Sequence, residues 1–246
     1  MMTPYPEAAK SLPVPRVEAP RYRWLLFDAD GTLFDYDRAE RGALEQTLAQ
    51  IGVAFDPACL ATYRRINQAL WQRVETGELT PGEVKVRRFE LFLEAIRVAS
   101  SATAFSASYL ECLADCSELV EDAHRVLGAL HRKYRIAVLT NGLREVQRRR
   151  LARSVIRDHV SDIIISEEIG AAKPARAFFD TAFARLGHPS KREVLMIGDG
   201  WASDIQGAIE YGIGACWYNP THQPRPAACE ITREIASLRE LTDWLG

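Results

Sequence analysis

The chain has 246 residues, of which 47% are hydrophobic and 26% charged, and its formal net charge is −2. These values are ordinary for a globular protein with a full hydrophobic core. The balanced charge excludes a general attraction to nucleic acid polymers. The sequence contains no uncharged apolar run of about 18 residues, so no membrane span is predicted. Five scattered cysteines, an odd number, favour reduced thiols in a cytoplasmic protein.

The first twenty residues contain five of the twelve prolines and no continuous apolar segment. A secretory signal needs such a segment, and a proline-rich stretch without one is typical of an extended, unpacked chain. We therefore expect residues 1–20 to form a disordered tail outside the fold.

Four short runs of almost continuous hydrophobic residues come later, at 24–27, 136–139, 163–165 and 194–197. Runs of this kind are typical of parallel strands that are covered on both faces. A fifth strand is predicted at about 213–217. Helical patterns separate or follow the later runs, at 143–156, 175–187 and about 202–211. This alternation predicts an α/β fold with a doubly wound, Rossmann-like parallel sheet.

The segment 37–118 interrupts the alternation directly after the first strand. It contains no comparable apolar run but four amphipathic helical patterns, at 38–51, 57–76, 81–98 and 105–117. We therefore predict a helical cap at 37–118, inserted into an α/β core formed by 21–36 and 119–246. Asp37 is expected to cap the first helix of this cap.

Polar residues follow each apolar run, at the point where each strand should end. They are Asp28 with Asp30, Thr140 with Asn141, and Asp199 with Asp204. After the third run, Lys173 comes beyond seven intervening residues. Because ligands bind outside the carboxyl ends of the strands in an open parallel sheet, these side chains should meet at one edge. Each short motif alone is often only a turn or a helix start, so the prediction depends on all four occurring in order.

The predicted group of residues suits phosphoryl transfer. Asp28 and Asp199 can supply the carboxylate oxygens that Mg²⁺ prefers, and the metal would screen a carboxylate nucleophile from a phosphate dianion. Lys173 and Thr140 can hold the phosphate. Asp30 is placed two residues after Asp28, which suits a general acid and base beside a nucleophile.

The four motifs resemble those of the haloacid dehalogenase superfamily of phosphohydrolases. Residues 27–33 look like its first motif, 140–142 its second, Lys173-Pro174 its third and 198–204 its fourth. The resemblance covers about residues 23–243. It implies an α/β core with a cap that excludes water and selects the substrate.

The resemblance also implies a role for each motif residue. Asp28 would form an aspartyl-phosphate, and Asp30 would protonate the leaving oxygen and then activate water. The implied ligands of Mg²⁺ are Asp28, the backbone carbonyl of Asp30, and Asp199, with Asp204 supporting them from behind. The implied phosphate-binding groups are Thr140, the amide of Asn141, and Lys173.

Within that superfamily the chain is similar to bacterial pyrimidine 5′-nucleotidases, at 33–34, 63–71, 88–90 and 165–174. The similarity implies a pyrimidine nucleoside 5′-monophosphate as substrate. A pyrimidine needs an aromatic face for stacking and an amide that reads its edge, so we predict a base pocket lined by Phe34, Tyr36, Asn67 and Trp71. For each of these residues alone, packing inside the cap is the competing interpretation.

Other functions remain open at this point. A sugar-phosphate phosphatase or phosphomutase would keep every catalytic residue and differ only in the cap. A non-catalytic binding module would not need Asp28 and Asp30 together, and a dehalogenase would not need Asp30, because it has no leaving oxygen to protonate. The sequence is compatible with a monomer or a homodimer. Trp201 is expected to pack at a helix start, and the arginine run 148–150 to form a solvated helix face.

Overall fold

The computed structural model describes residues 22–226 and 229–246, so the predicted tail at 1–20 lies outside the described residues. Within them is a six-stranded sheet in which every neighbouring pair is parallel, in the order β3-β2-β1-β4-β5-β6. The strands are β1 Trp24–Phe27, β2 Arg135–Thr140, β3 Asp162–Ile165, β4 Val194–Gly198, β5 Gly214–Tyr218 and β6 Arg233–Ile235. The predicted α/β class is confirmed.

Helices lie on both sides of this sheet, and four of them form one long insertion after β1. They are α1 Tyr36–Gln50, α2 Pro57–Glu75, α3 Pro81–Ala95, α4 Ala102–Asp115, α5 Ala123–Leu130, α6 Arg144–Arg153, α7 Ser166–Ile169, α8 Arg176–Arg185, α9 Gly207–Tyr211 and α10 Arg239–Leu245. A wider π-helical turn, Trp201–Gln206, precedes α9. None of the helices in the described ranges is both long and apolar enough to span a bilayer.

The strand order reverses at β1, and this reversal positions the site. The chain runs outward from β1 through β2 to β3 and then returns to the other side of β1 as β4. Phe27, the last residue of β1, pairs with Val138 on one side and Ile197 on the other. The strand β2 continues to Thr140 and β4 to Gly198, so the three carboxyl ends lie at the same edge. A crevice at such a switch point is where open α/β sheets bind their ligands.

Successive residues of β1 face opposite sides of the sheet, and both sides are buried. Leu25 and Phe27 belong to the core under α5, whereas Leu26 belongs to the core that contains Phe178 of α8. Burial on both faces is the reason that the strand reads as a continuous apolar run.

The helices α1 to α4, which we call the helical insert, share an apolar core that also takes in Leu143, Val146 and Ala172 from outside the insert. At its centre Tyr63 stacks on Phe89, with ring centroids 5.5 Å apart. The prediction that Asp37 caps α1 is wrong, because the helix begins at Tyr36 and the Asp35 side chain accepts the hydrogen bond from the Arg38 amide at 3.1 Å.

The chain leaves the core and returns to it along two adjacent segments. The Asp35 amide donates to the Glu118 carbonyl at 3.0 Å, and the Val120 amide donates to the Leu33 carbonyl at 3.0 Å. These bonds join the two connections between the insert and the sheet, residues 33–35 and 116–120, which we call the crossings.

We expect Phe89→Ala to lower the free energy of unfolding by about 3–5 kcal/mol, because a fully buried ring at the centre of the insert would leave a cavity. Chemical denaturation measures this change. Val155→Ala is the control, since Val155 is 64% exposed and its truncation should change the free energy by less than about 0.5 kcal/mol. Equal effects of the two substitutions would contradict the assignment of this core.

Candidate active site

Lys173 joins the ends of three sequence motifs in a buried polar contact. Its Nζ lies 2.5 Å from Asp28 Oδ1, 2.6 Å from Asp204 Oδ1 and 2.7 Å from the Leu139 carbonyl. The lysine is 1% exposed. Asp28 itself continues β1, with its amide donating to the Ile197 carbonyl at 2.9 Å. The structure therefore brings the first, third and fourth motifs together, as their positions after the strands predict.

Asn141 fixes the backbone that carries Lys173. Its side-chain Nδ2 donates to the Lys173 carbonyl at 2.8 Å, and its Oδ1 accepts from the Lys173 amide at 2.8 Å. Thr140, the last residue of β2, is buried beside this contact. The side chain of Asn141 thus fixes the backbone of Lys173, a structural role that its sequence motif does not reveal.

Three carboxylates face one another at this edge. Oxygens of Asp28, Asp199 and Asp204 all lie within 4.8 Å of one another. Thr32 Oγ1 donates to Asp199 Oδ1 at 3.0 Å, and the Gly200 amide donates to Asp204 Oδ2 at 3.0 Å. Both oxygens of Asp204 are therefore engaged, whereas Asp28 and Asp199 each keep one oxygen without a hydrogen bond from the described residues.

One ammonium does not balance these three carboxylates. Burial, reinforced by Asp204 and Asp199, raises the pKa of Asp28 well above its usual value in spite of Lys173. Asp199 reaches solvent, yet the surrounding protein atoms and the charge of Asp204 raise its pKa to about 6. Burial would lower the pKa of Lys173, but Asp204 and Asp28 outweigh it and raise the pKa.

Hard oxygen donors in negative excess fit Mg²⁺. The residues that would hold it are Asp28 and Asp199, which have oxygens to spare, with Asp204 behind them. The Asp30 side chain does not belong to this cluster, and its predicted contribution to the metal is its backbone carbonyl.

Two glycines allow the loops to approach so closely. Gly31 has a φ of +83°, and a Cβ there would lie 2.4 Å from Asp199 Oδ2. A Cβ on Gly198 would lie 2.3 Å from Asp204 Oδ2. The glycines of the first and fourth motifs are therefore required by the space that the carboxylates occupy.

The Asp30 carboxylate is held by two side chains of α6. Gln147 Nε2 donates to Asp30 Oδ2 at 2.5 Å, and Arg150 Nη1 pairs with Asp30 Oδ1. Arg150 is 0% exposed, so the prediction of a solvated face is wrong for this member of the arginine run. The sequence pattern could have indicated the burial of Arg150, because Arg150 lies four residues after the buried Val146 and so on the same face of the helix.

Arg150 also contacts both crossings. Its Nε donates to the Cys116 carbonyl at 2.9 Å, and its guanidinium carbon lies 4.5 Å from the centre of the Phe34 ring. Phe34 is completely buried in the core of the sheet. The predicted placement of Phe34 in a base pocket is therefore not found.

A cavity of about 510 Å³ lies between the insert and the sheet edge, within the roughly 300–1,000 Å³ typical of small-molecule pockets. The side of the cavity that faces the sheet is lined by Asp30, Asn141 and Asp199. The other predicted pocket residues line the side formed by the insert, namely Tyr36, Asn67 and Trp71. Sequence reasoning did not assign a role to another lining residue, the buried Arg88.

Trp201 packs at the start of the π-helical turn, as expected. Its ring meets Trp217 edge to face, with centroids 4.9 Å apart. Trp217 Nε1 in turn donates to the Asp199 carbonyl at 3.0 Å. Trp201 therefore packs against Trp217, which in turn holds the backbone of Asp199.

Residues 22–212 match the haloacid dehalogenase-like hydrolases. The chain belongs to this family. Among solved structures, it is similar to the YfnB hydrolase of Bacillus subtilis bound to magnesium, with a TM-score of 0.85 and 32% identity over 92% of this chain and 99% of that one.

Two relatives of known activity match along nearly their whole length. The chain is 32% identical to the pyrimidine 5′-nucleotidase YjjG of Escherichia coli, over 92% of this chain and 98% of that protein. It is 34% identical to the pyrimidine 5′-nucleotidase PynA of Streptococcus pneumoniae, over 91% and 95% respectively. Both alignments include the helical insert as well as the core. The chain is therefore a phosphatase of this family.

We expect Asp199→Asn to raise the melting temperature in EDTA at neutral pH. The substitution removes one of three repelling charges and keeps the oxygen that accepts from Thr32. Because Asp199 reaches solvent, we expect a gain of only about 1 kcal/mol, or about 2–4 °C. Mg²⁺ should then stabilise the native protein more than the variant. The control is Asp158→Asn, an exposed aspartate, and a lower melting temperature for Asp199→Asn in EDTA would contradict the repulsion.

We expect Arg150→Met to lower kcat for p-nitrophenyl phosphate about 10- to 100-fold, because Asp30 would lose a contact that fixes its carboxylate. The KM should change less, since Arg150 does not line the cavity. Arg149→Met is the matched control, because Arg149 is a half-exposed neighbour paired with Asp115 at the surface. A correctly folded Arg150→Met variant with native kcat would refute the role of this contact.

Proposed function

We propose that this phosphatase is a Mg²⁺-dependent phosphomonoesterase that acts through an aspartyl-phosphate on Asp28 and hydrolyses pyrimidine nucleoside 5′-monophosphates. The observation that carries the chemistry is the contact of Lys173 with Asp28, beside Asp199 and Asp204. It combines a carboxylate that can attack, a cation for the phosphate, and an oxygen-rich set of metal ligands at one edge.

In the proposed reaction, Asp28 attacks phosphorus while Asp30 gives a proton to the leaving ester oxygen, which departs as an alcohol. Asp30, now a carboxylate, takes a proton from a water molecule that attacks the aspartyl-phosphate. This second step releases inorganic phosphate and restores both aspartates. The Thr140 hydroxyl donates to a phosphate oxygen, and Lys173 supplies the countercharge, exchanging its hydrogen bond to Asp28 for one to the phosphate.

Bound Mg²⁺ would neutralise negative charge on the phosphate and on the carboxylates of Asp28 and Asp199. The geometry of the remaining groups is set by the protein. Asn141 fixes the Lys173 backbone, and α6 orients Asp30 through Gln147 and Arg150. The helical insert acts as a cap that covers these groups and limits the access of water.

The nucleotide specificity is supported by the two nucleotidases that align through the insert. The cavity is also consistent with this substrate, because its reacting side carries Asp30 and Asp199 and its insert side carries the aromatic ring of Trp71 and the amide of Asn67. A base stacked on Trp71 would leave its polar edge to Asn67.

The proposal is tested by phosphate release with Mg²⁺ from uridine, thymidine, cytidine and purine 5′-monophosphates and from several sugar phosphates. Asp28→Asn is the blank, because its side chain keeps the shape but lacks a nucleophilic carboxylate. We expect release from the pyrimidine nucleotides to be abolished in this variant. A phosphorylated Asp28 trapped by acid quench and detected by mass spectrometry would identify the intermediate.

Two results would contradict the proposal in different ways. Release from sugar phosphates alone would keep the chemistry and reject the nucleotidase assignment. Undiminished release by a homogeneous Asp28→Asn preparation would reject Asp28 as the nucleophile.

A further inference from the structure

A second cavity lies at the edge of the sheet opposite the candidate active site. It has a volume of about 690 Å³ and is formed by the amino ends of β1, β2 and β4 and the turn after α8. Trp24 and Arg135, the first residues of β1 and β2, both line it. Asp28 follows the other end of β1, about 13 Å away at the usual rise of a strand. The two cavities are therefore separate.

Positive charge predominates in the lining of this second cavity, which we call the basic cavity. Among the described residues that line it, six have side chains that can carry positive charge, and one, Glu193, has a carboxylate. The six are Arg23, His131, Arg132, Lys133, Arg135 and His188. They come from three segments that lead into the neighbouring strands β1, β2 and β4. Since the whole chain has a net charge of −2, the excess of positive charge is local.

The cations of the basic cavity are accessible to a ligand. Arg132, Lys133 and Arg135 are exposed, and Arg135 lies over the Trp24 ring, with its guanidinium carbon 4.6 Å from the ring centre. Of the four arginine and lysine side chains, only that of Arg23 lies near a carboxylate of the described chain, with its Nε 3.7 Å from Glu193. Because the Arg23 side chain is 74% exposed, this ion pair contributes little and leaves the cavity positive.

Helix termini account for only part of this charge. The helices α5 and α8 both end at the basic cavity, and basic residues commonly follow a helix because they offset the partial charge of about −0.5 at its C-terminus. Two helices therefore require about one positive charge. The four arginine and lysine side chains less the one carboxylate give a charge of +3. About two positive charges thus remain without a structural role.

The spread of these cations favours a chain of phosphates over a single phosphate group. β2 and β4 flank β1, so their amino ends lie two strand spacings, or about 10 Å, apart. A chain of phosphates carries charges and acceptor oxygens at intervals along its length, so it can contact arginine and lysine on both sides of Arg23. The cations surround a concavity instead of forming an extended stripe, which favours a compact ligand over a nucleic acid polymer.

We propose that the basic cavity binds compounds that contain a chain of phosphate groups, such as inorganic tripolyphosphate or a nucleoside triphosphate. The charge is supplied by Arg23, Arg132, Lys133 and Arg135, and the Ser190 hydroxyl supplies a further hydrogen-bond donor. Because this cavity contains none of the residues at the catalytic edge, the proposal is independent of the proposed function.

The test is isothermal titration calorimetry of the full chain with sodium tripolyphosphate, in EDTA at pH 8 and low salt. Without a metal, the excess of carboxylates at the catalytic edge repels the anion, so the heat reports on the basic cavity. We expect a Kd below about 1 mM. Combining Arg132→Gln with Lys133→Gln should raise the Kd about tenfold, because two exposed charge contacts are lost. Glu193→Gln should lower it about two- to fivefold, because the opposing carboxylate is removed.

The matched control combines Arg38→Gln with Arg65→Gln. It removes the same charge from two exposed positions of the helical insert and should keep the native Kd. A second titration, with ATP, separates the two sources of a phosphate chain. A Kd for ATP at or above that for tripolyphosphate would show that the phosphate chain alone is recognised, and a lower Kd would identify a nucleoside triphosphate as the ligand.

Four results would overturn the proposal. They are a Kd above about 1 mM for the native protein with both ligands, an unchanged Kd in the folded Arg132 and Lys133 double variant, an equal loss of affinity in the control, and binding of a DNA duplex without binding of tripolyphosphate. Circular dichroism establishes folding. The Glu193→Gln variant supplies an independent reading, since a Kd that rises on removal of this carboxylate would also contradict the proposed electrostatics.

Discussion

The site depends on one buried ammonium. Lys173 reaches Asp28, Asp204 and the Leu139 carbonyl at once, and so joins the carboxyl ends of β1 and β2 to the turn after β4. Burial of the two carboxylates without this cation would be strongly destabilising. The charge that Lys173 leaves unbalanced, chiefly that of Asp199, suits this edge to the divalent cation that we propose. The same excess of negative charge that opposes folding would favour binding of that cation.

The strands of the core could be predicted because their burial on two faces leaves a continuous apolar run. The convergence of Asp28, Thr140 and Asp199 could be predicted because each directly follows the end of a run or lies within two residues of it. β6 left no such trace, since two of its three residues, Arg233 and Glu234, are exposed at the sheet edge. The helix α5 did leave one, because Ala123, Val126 and Leu127 are buried at helical spacing, and it was missed. The start of α1 was misplaced because two aspartates near it, Asp35 and Asp37, are equally good caps.

The arginines show where sequence reasoning about the site ends. The run 148–150 contains three identical side chains, and only the phase of α6 relative to the sheet turns Arg150 towards Asp30. Arg88 likewise has an exposed twin in Arg87. Phe34 and Tyr36 are two residues apart, yet only Tyr36 faces the cavity, since Phe34 is enclosed beneath Arg150. Such distinctions come from tertiary packing, which residue type alone does not encode.

Arg150 touches the Cys116 carbonyl on one crossing, the Phe34 ring on the other, and the carboxylate of Asp30. A rotation of the insert about the crossings, as we propose for a cap, would shift the guanidinium that pairs with the proposed acid Asp30. In the proposed mechanism, proton transfer would therefore depend on the position of the insert through Arg150, while Gln147 holds the other oxygen of Asp30.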